Sequence, residues 1–181
     1  MNCTPTGRGF ETHLGYWCGA EDYTAHSVTA DRGTIVYDMQ EGLTPRADLN
    51  GSWSTEVFAA RAVSIISAQA VLGAGAPPLF LYLAFQNVHW PLEAPADLVA
   101  RFANATGGNR GRGMVCAMAA FLDEAVGNVT RAIDALLPNT YVIFLSDNGG
   151  TFRREPHLRA IQPRPPQNKT LGNSNPTPPK P

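Results

Sequence analysis

Cysteine is scarce in this chain: Cys3, Cys18 and Cys116 are the three among 181 residues. No CxxC pair and no Cys/His spacing of the zinc-binding kind occurs, which excludes a structural zinc module. The odd count leaves free thiols and a Cys3–Cys18 disulfide both open, because spacing does not fix disulfide geometry. Charge is sparse as well. Charged residues are 16% of the chain and the net charge is −1. That excludes the basic footprint of a nucleic-acid binder and gives no reason for attraction to an anionic membrane. No run approaches the length expected of a membrane-spanning helix, residues 1–20 lack a signal-peptide pattern, and there is no internal repeat.

Apolar residues are present in sufficient number. At 44% they can build a core, and the length is that of one domain. Leu79–Phe85 and Tyr141–Leu145 are apolar runs of strand length. Between them, residues 113–137 place Val115, Met118, Ala119, Leu122, Val126, Val129, Ile133 and Leu136 at helical steps. Strand, helix and strand in that order predict a βαβ unit with parallel strands. A second helix is predicted from an N-cap at Ser54 to about Ala70, with Phe58, Ala62, Ile65, Ile66 and Gln69 on one face. Pro95 opens a short helix to Phe102, Asn104 to Gly113 reads as a loop, and Gly33–Asp38 as a short strand. Residues 1–50 are otherwise irregular.

Chemistry-bearing residues gather after the two apolar runs. Ser146-Asp147-Asn148-Gly149-Gly150 follows the second. A carboxylate and an amide at a strand end offer oxygen ligands to a hard cation, and the glycines permit a sharp turn. The same residues also read as a plain Asn-Gly turn. His89 follows the first run, within Val88-His89-Trp90-Pro91. In a parallel sheet both strands end on one rim, where ligands bind, so His89, Asp147 and Asn148 are the candidate site. His13 and His26 read as solvated or core-satisfied, Asp123 and Glu124 as a solvated or capping pair, and His157 has no assigned role. Arg8 and Arg61 stay open between surface residues and anion contacts. Five Asn-x-Ser/Thr triplets occur, at Asn2, Asn50, Asn104, Asn128 and Asn168. Asn50, Asn104 and Asn128 are the glycosylation candidates.

Several blocks in order carry a family resemblance. They are Cys3-Thr4-Pro5-Thr6-Gly7-Arg8-Gly9-Phe10-Glu11-Thr12, Gly15-Tyr16-Trp17-Cys18-Gly19, Pro78-Leu79-Phe80-Leu81-Tyr82-Leu83-Ala84, Val88-His89-Trp90-Pro91-Leu92, Leu122-Asp123-Glu124-Ala125-Val126-Gly127 and Asp147-Asn148-Gly149-Gly150. Residues 3–150 resemble the sulfatase family, closest to its arylsulfatases of the B type. The resemblance implies a partial alkaline-phosphatase-like α/β sandwich with a mainly parallel central sheet flanked by helices. It implies a sulfuric ester hydrolase acting on a sulfated carbohydrate or aryl sulfate, with Ca²⁺ held partly by Asp147 and Asn148 and the sulfate contacted by His89. In the family a formylglycine made from Cys-x-Pro-x-Arg is the nucleophile and an Asp-Asp pair completes the metal site. Neither motif is in this chain, and Gly7 stands where the Cys3 block would need arginine. By resemblance, the cysteine matching Cys3 pairs with one not found here. The expectation is therefore a partial catalytic domain over 1–150 and a Pro-rich disordered tail over 151–181, secreted or lysosomal and inactive alone. A phospho- or phosphono-ester hydrolase of the same superfamily and a non-catalytic truncated product or decoy are the alternatives.

Overall fold

The computed structural model describes residues 3–73 and 75–150. The chain divides into two compact units, Met1–Asp147 and Asn148–Pro181. The tail over 151–181, with His157 and the Asn168 triplet, and the Asn2 triplet lie outside the described residues.

The N-terminal third is a set of short antiparallel pieces. Five strands are described: β1 Leu14–Gly15, β2 Ser27–Thr29, β3 Ile35–Tyr37, β4 Gln40–Glu41 and β5 Thr44–Pro45. One sheet has the order β1-β4-β5, and β2 pairs with β3 through Val28 opposite Val36. The predicted strand at 33–38 is β3. Three helices follow: α1 Ser54–Leu72, α2 Ala96–Phe102 and α3 Arg110–Leu136.

Small residues set the helix packing. Ala59, Ala62 and Ile66 of α1 bury against Ala125 and Val129 of α3. Alanine at the crossing lets two backbones approach closely, and each buried larger side chain contributes roughly 2 kcal/mol. A second cluster joins Leu98 of α2 to Ala117 and Phe121 of α3, with Trp53 edge-on to Phe121 at 5.7 Å. Gly113 sits where α3 meets the turn before it: a Cβ there would lie 3.3 Å from the Thr106 hydroxyl.

Four expectations change. Ser54 is the first helical residue of α1 and not its cap, because its hydroxyl donates to Gln86 Oε1 at 3.1 Å; Trp53 holds the cap position without a side-chain bond. α3 starts at Arg110, since Asn109 caps it by accepting from the Arg112 amide at 2.9 Å. Its buried stripe runs Gly113, Ala117, Met118, Phe121, Ala125 and Val129; Met118 and Val129 belong to the predicted face, while Val115 and Leu136 of that face are exposed. The parallel central sheet is not seen among the described residues: both described sheets are antiparallel. Leu79–Phe85 and Tyr141–Leu145 are not strands there, because a strand requires a neighbour to accept and donate backbone bonds. By length and composition α1 could also cross a membrane. Its packed face against α3 and the Arg61–Glu41 ion pair at 2.9 Å make it a core helix of this unit.

Candidate functional site

His89 is carried by a loop that the protein anchors at several points. Leu81, Leu83 and Phe85 pack against the α1–α3 core, so the preceding segment is fixed along one face. Where the apolar run stops, two amides take over. Gln86 is buried, accepts from Ser54 and donates to the Glu21 carbonyl. Asn87 accepts from the Thr55 hydroxyl at 2.6 Å and donates to the Met118 carbonyl at 3.1 Å. The first turn of α1 and the middle of α3 therefore hold the residues just before His89. From the other side, the Tyr23 hydroxyl donates to the His89 carbonyl at 3.1 Å. Tyr23 is itself fully buried, and its own amide donates to Glu93 Oε2 at 3.0 Å.

The His89 ring is exposed, with Nδ1 2.6 Å from the Trp90 carbonyl. A carbonyl only accepts, so Nδ1 carries the hydrogen and Nε2 presents its lone pair outward. In that tautomer Nε2 takes a proton; once protonated it donates to an anionic oxygen. Sequence reading missed Tyr23, Ser54, Thr55, Gln86, Asn87 and Glu93 as supports. The polar pair Gln86-Asn87 at the end of an apolar run was the signal available.

Beneath the loop lies a buried polar network. His26 is fully buried, with Nδ1 3.1 Å from Glu21 Oε1 and Nε2 3.2 Å from the Leu49 carbonyl. This is the core-satisfied form of the histidine. Burial raises the Glu21 carboxyl above its ordinary range, against the hydrogen bond from His26, and Glu21 Oε2 is buried without a partner. Burial likewise raises Glu93. Its neighbour Asp22 is held low despite burial, because the amides of Ala25 and Thr24 donate to it at 2.6 and 3.0 Å. Asp38 is buried and receives the amides of Trp17 and Cys18 at 3.1 and 2.8 Å.

Asp147 and Asn148 are exposed and fall at the boundary between the two units. No hydrogen bond or ion pair joins His89 to Asp147 among the described residues. Among the described residues no group of three His, Cys, Asp or Glu side chains is placed to hold a metal. A carboxylate and an amide are the right donors for a hard cation, yet two oxygens are short of the about six to eight that Ca²⁺ takes. The fit is in chemistry and incomplete in number.

Asn50, Asn104 and Asn128 are exposed, as are Asp123 and Glu124, the solvated form of the expected solvated or capping pair. The Thr130 hydroxyl of the Asn128 triplet is engaged by the carbonyls of Val126 and Gly127. Cys3, Cys18 and Cys116 are free thiols, and Arg61 is engaged by Glu41.

A sulfatase family profile matches residues 1–173. The chain belongs to the sulfatase family. It is 37% identical over 152 residues to arylsulfatase J of Mus musculus, an alignment covering 82% of this chain and 24% of that protein. The sulfatase segment here thus spans about a quarter of its relative. Among solved structures it resembles Ps i-CgsB, with a TM-score of 0.61 at 21% identity, covering 74% of this chain and 31% of that one. Ps i-CgsB in complex with k-i-k-neocarrahexaose gives a TM-score of 0.62 at the same identity and coverage. Those two show the fold alone. The arylsulfatase relationship is at family level and does not single out the B type.

Proposed function

We propose that this chain is part of the catalytic domain of a sulfate ester hydrolase that acts on an aryl sulfate or a sulfated sugar. The observation that carries the reading is the sulfatase match along residues 1–173. In this reading His89 contacts the sulfate through Nε2. It donates a hydrogen bond to a sulfate oxygen, or passes a proton to the leaving oxygen. The anchored loop keeps that nitrogen in place, with Nδ1 tied to Trp90. Asp147 and Asn148 would supply oxygens to Ca²⁺, which when bound offsets the negative charge of the sulfate oxygens. Asn50, Asn104 and Asn128 would carry glycans in a secreted or lysosomal protein.

A second reading concerns the 181 residues by themselves. They contain no Cys-x-Pro-x-Arg, so no formylglycine forms and the chain alone is non-catalytic. The test places residues 3–150 of this chain in the corresponding stretch of an active arylsulfatase. Turnover of a chromogenic aryl sulfate is expected, falling by about 100-fold on His89→Ala. Calorimetry should show Ca²⁺ binding that Asp147→Ala abolishes. An undiminished rate in the His89→Ala chimaera would remove His89 from the site.

A further inference from the structure

The loop that carries His89 is held at its two ends by different chemistry. At the start, Gln86 and Asn87 are fixed by hydroxyl and carbonyl partners that do not titrate. At the far end the hold is ionisable. Glu93 Oε2 accepts the Tyr23 amide at 3.0 Å, and the Glu93 and Asp22 side chains are in hydrogen-bond contact. Two carboxyl groups share a hydrogen bond only when one of them carries a proton. Asp22 Oδ1 accepts the amides of Thr24 and Ala25 and the Thr24 hydroxyl, at 3.0, 2.6 and 3.2 Å. Three donors favour the charged form of Asp22, whereas Glu93 receives one amide. The proton therefore sits on Glu93, which donates to Asp22. The Asp22 side of this contact is rigid. Its amide donates to the Ser27 carbonyl at 3.0 Å, its carbonyl accepts the His26 amide at 3.1 Å, and the Tyr23 carbonyl accepts the Ser54 amide at 2.8 Å.

We propose that Glu93 is a positioning residue for His89 and that its proton is a latch, tying the far end of the loop to the Asp22–Tyr23 turn when present and releasing it when lost. Ionisation of Glu93 replaces its hydrogen bond to Asp22 by repulsion between two carboxylates. The titratable groups facing the pair are Tyr23 and, beyond Asp22, Glu21 with its partner His26. Neither Glu93 nor Asp22 forms an ion pair with a lysine, arginine or histidine among the described residues. Among those residues nothing offsets a second negative charge. Burial and the charge of Asp22 raise Glu93 above its ordinary 4.5, against the Tyr23 amide. The latch is closed below that ordinary value and opens as pH rises through the folded value. It stands on these contacts; its bearing on catalysis rests on the reading of His89 as the sulfate contact.

The experiment follows the 181-residue chain by NMR from acid to neutral pH, with Glu93→Gln, Glu93→Ala and Glu21→Gln beside it. The Glu93 carboxyl carbon is expected to titrate above 4.5. The His89 amide donates to the Gln86 carbonyl at 2.9 Å. Its exchange, corrected for the intrinsic effect of pH, should rise by about tenfold across that titration. Glu93→Gln offers the Tyr23 amide an acceptor and Asp22 a donor at every pH, so it should keep slow exchange and lose the step. Glu93→Ala should exchange fast throughout. The step should survive in Glu21→Gln; its loss there would assign it to Glu21 and overturn the proposal. A Glu93 carboxyl titrating at or below 4.5 would also overturn it, as would a step that persists in Glu93→Gln. In the arylsulfatase chimaera, Glu93→Gln should flatten the decline of kcat/KM toward neutral pH, and an unchanged profile would remove the positioning role. A latch seen by exchange in a chimaera indifferent to His89→Ala sustains the proposal and sinks the catalytic reading alone.

Discussion

Glu21 is a buried acid whose protonation the fold controls. The Leu49 carbonyl can only accept, so His26 Nε2 carries a hydrogen. Nδ1 lies 3.1 Å from Glu21 Oε1, and that contact opposes the rise that burial imposes on the carboxyl. The sign of the pH effect follows. The folded-state pKa of Glu21 is raised above its ordinary 4.5, so folding prefers the protonated acid. The associated stability is complete below that ordinary value and declines as pH rises through the folded value. His26 and the carboxylates Asp38 and Asp22 share the surroundings and set where the decline ends. Glu21→Gln keeps a polar partner for His26 Nδ1 and removes the titration. Urea midpoints from acid to neutral pH should fall less steeply for the variant than for the parent. Two parallel curves would show that another group titrates.

The helices were the most legible elements. Periodicity located α1 and α3, and Pro95 marked the start of α2 at Ala96. The buried stripe of α3 was harder to read, because hydrophobicity weights large residues and the crossing with α1 uses alanine. That difference is measurable. Ile66 is 1% exposed and faces α3, so Ile66→Ala should cost about 2–4 kcal/mol in denaturant unfolding. Val115 belongs to the predicted stripe yet is exposed, and Val115→Ser should stay within about 0.5 kcal/mol. Equal costs at the two positions would mean that the stripe assignment is wrong. Turn chemistry was partly legible too: Asn109 has the residue type of a cap, but the Gly-rich surroundings concealed it.

On the scale of the molecule, this sulfatase segment anchors the loop that carries His89 and has no Cys-x-Pro-x-Arg motif. The isolated chain should give no turnover of a chromogenic aryl sulfate above buffer. Its Ca²⁺ affinity should be weak, because two protein oxygens leave most positions to water. Measurable hydrolysis that vanishes with His89→Ala would show a nucleophile elsewhere in these residues. The family, the three helices and the identity of His89, Asp147 and Asn148 as candidates were determined by sequence, since order of motifs and helical period are local properties. Only the tertiary structure decided which residues hold the His89 loop: Ser54 and Gln86 are 32 positions apart, and Tyr23 and His89 are 66 apart. It also decided the state of the two apolar runs. Strand propensity is written in the chain, but a strand exists only when another segment lies beside it to complete its hydrogen bonds.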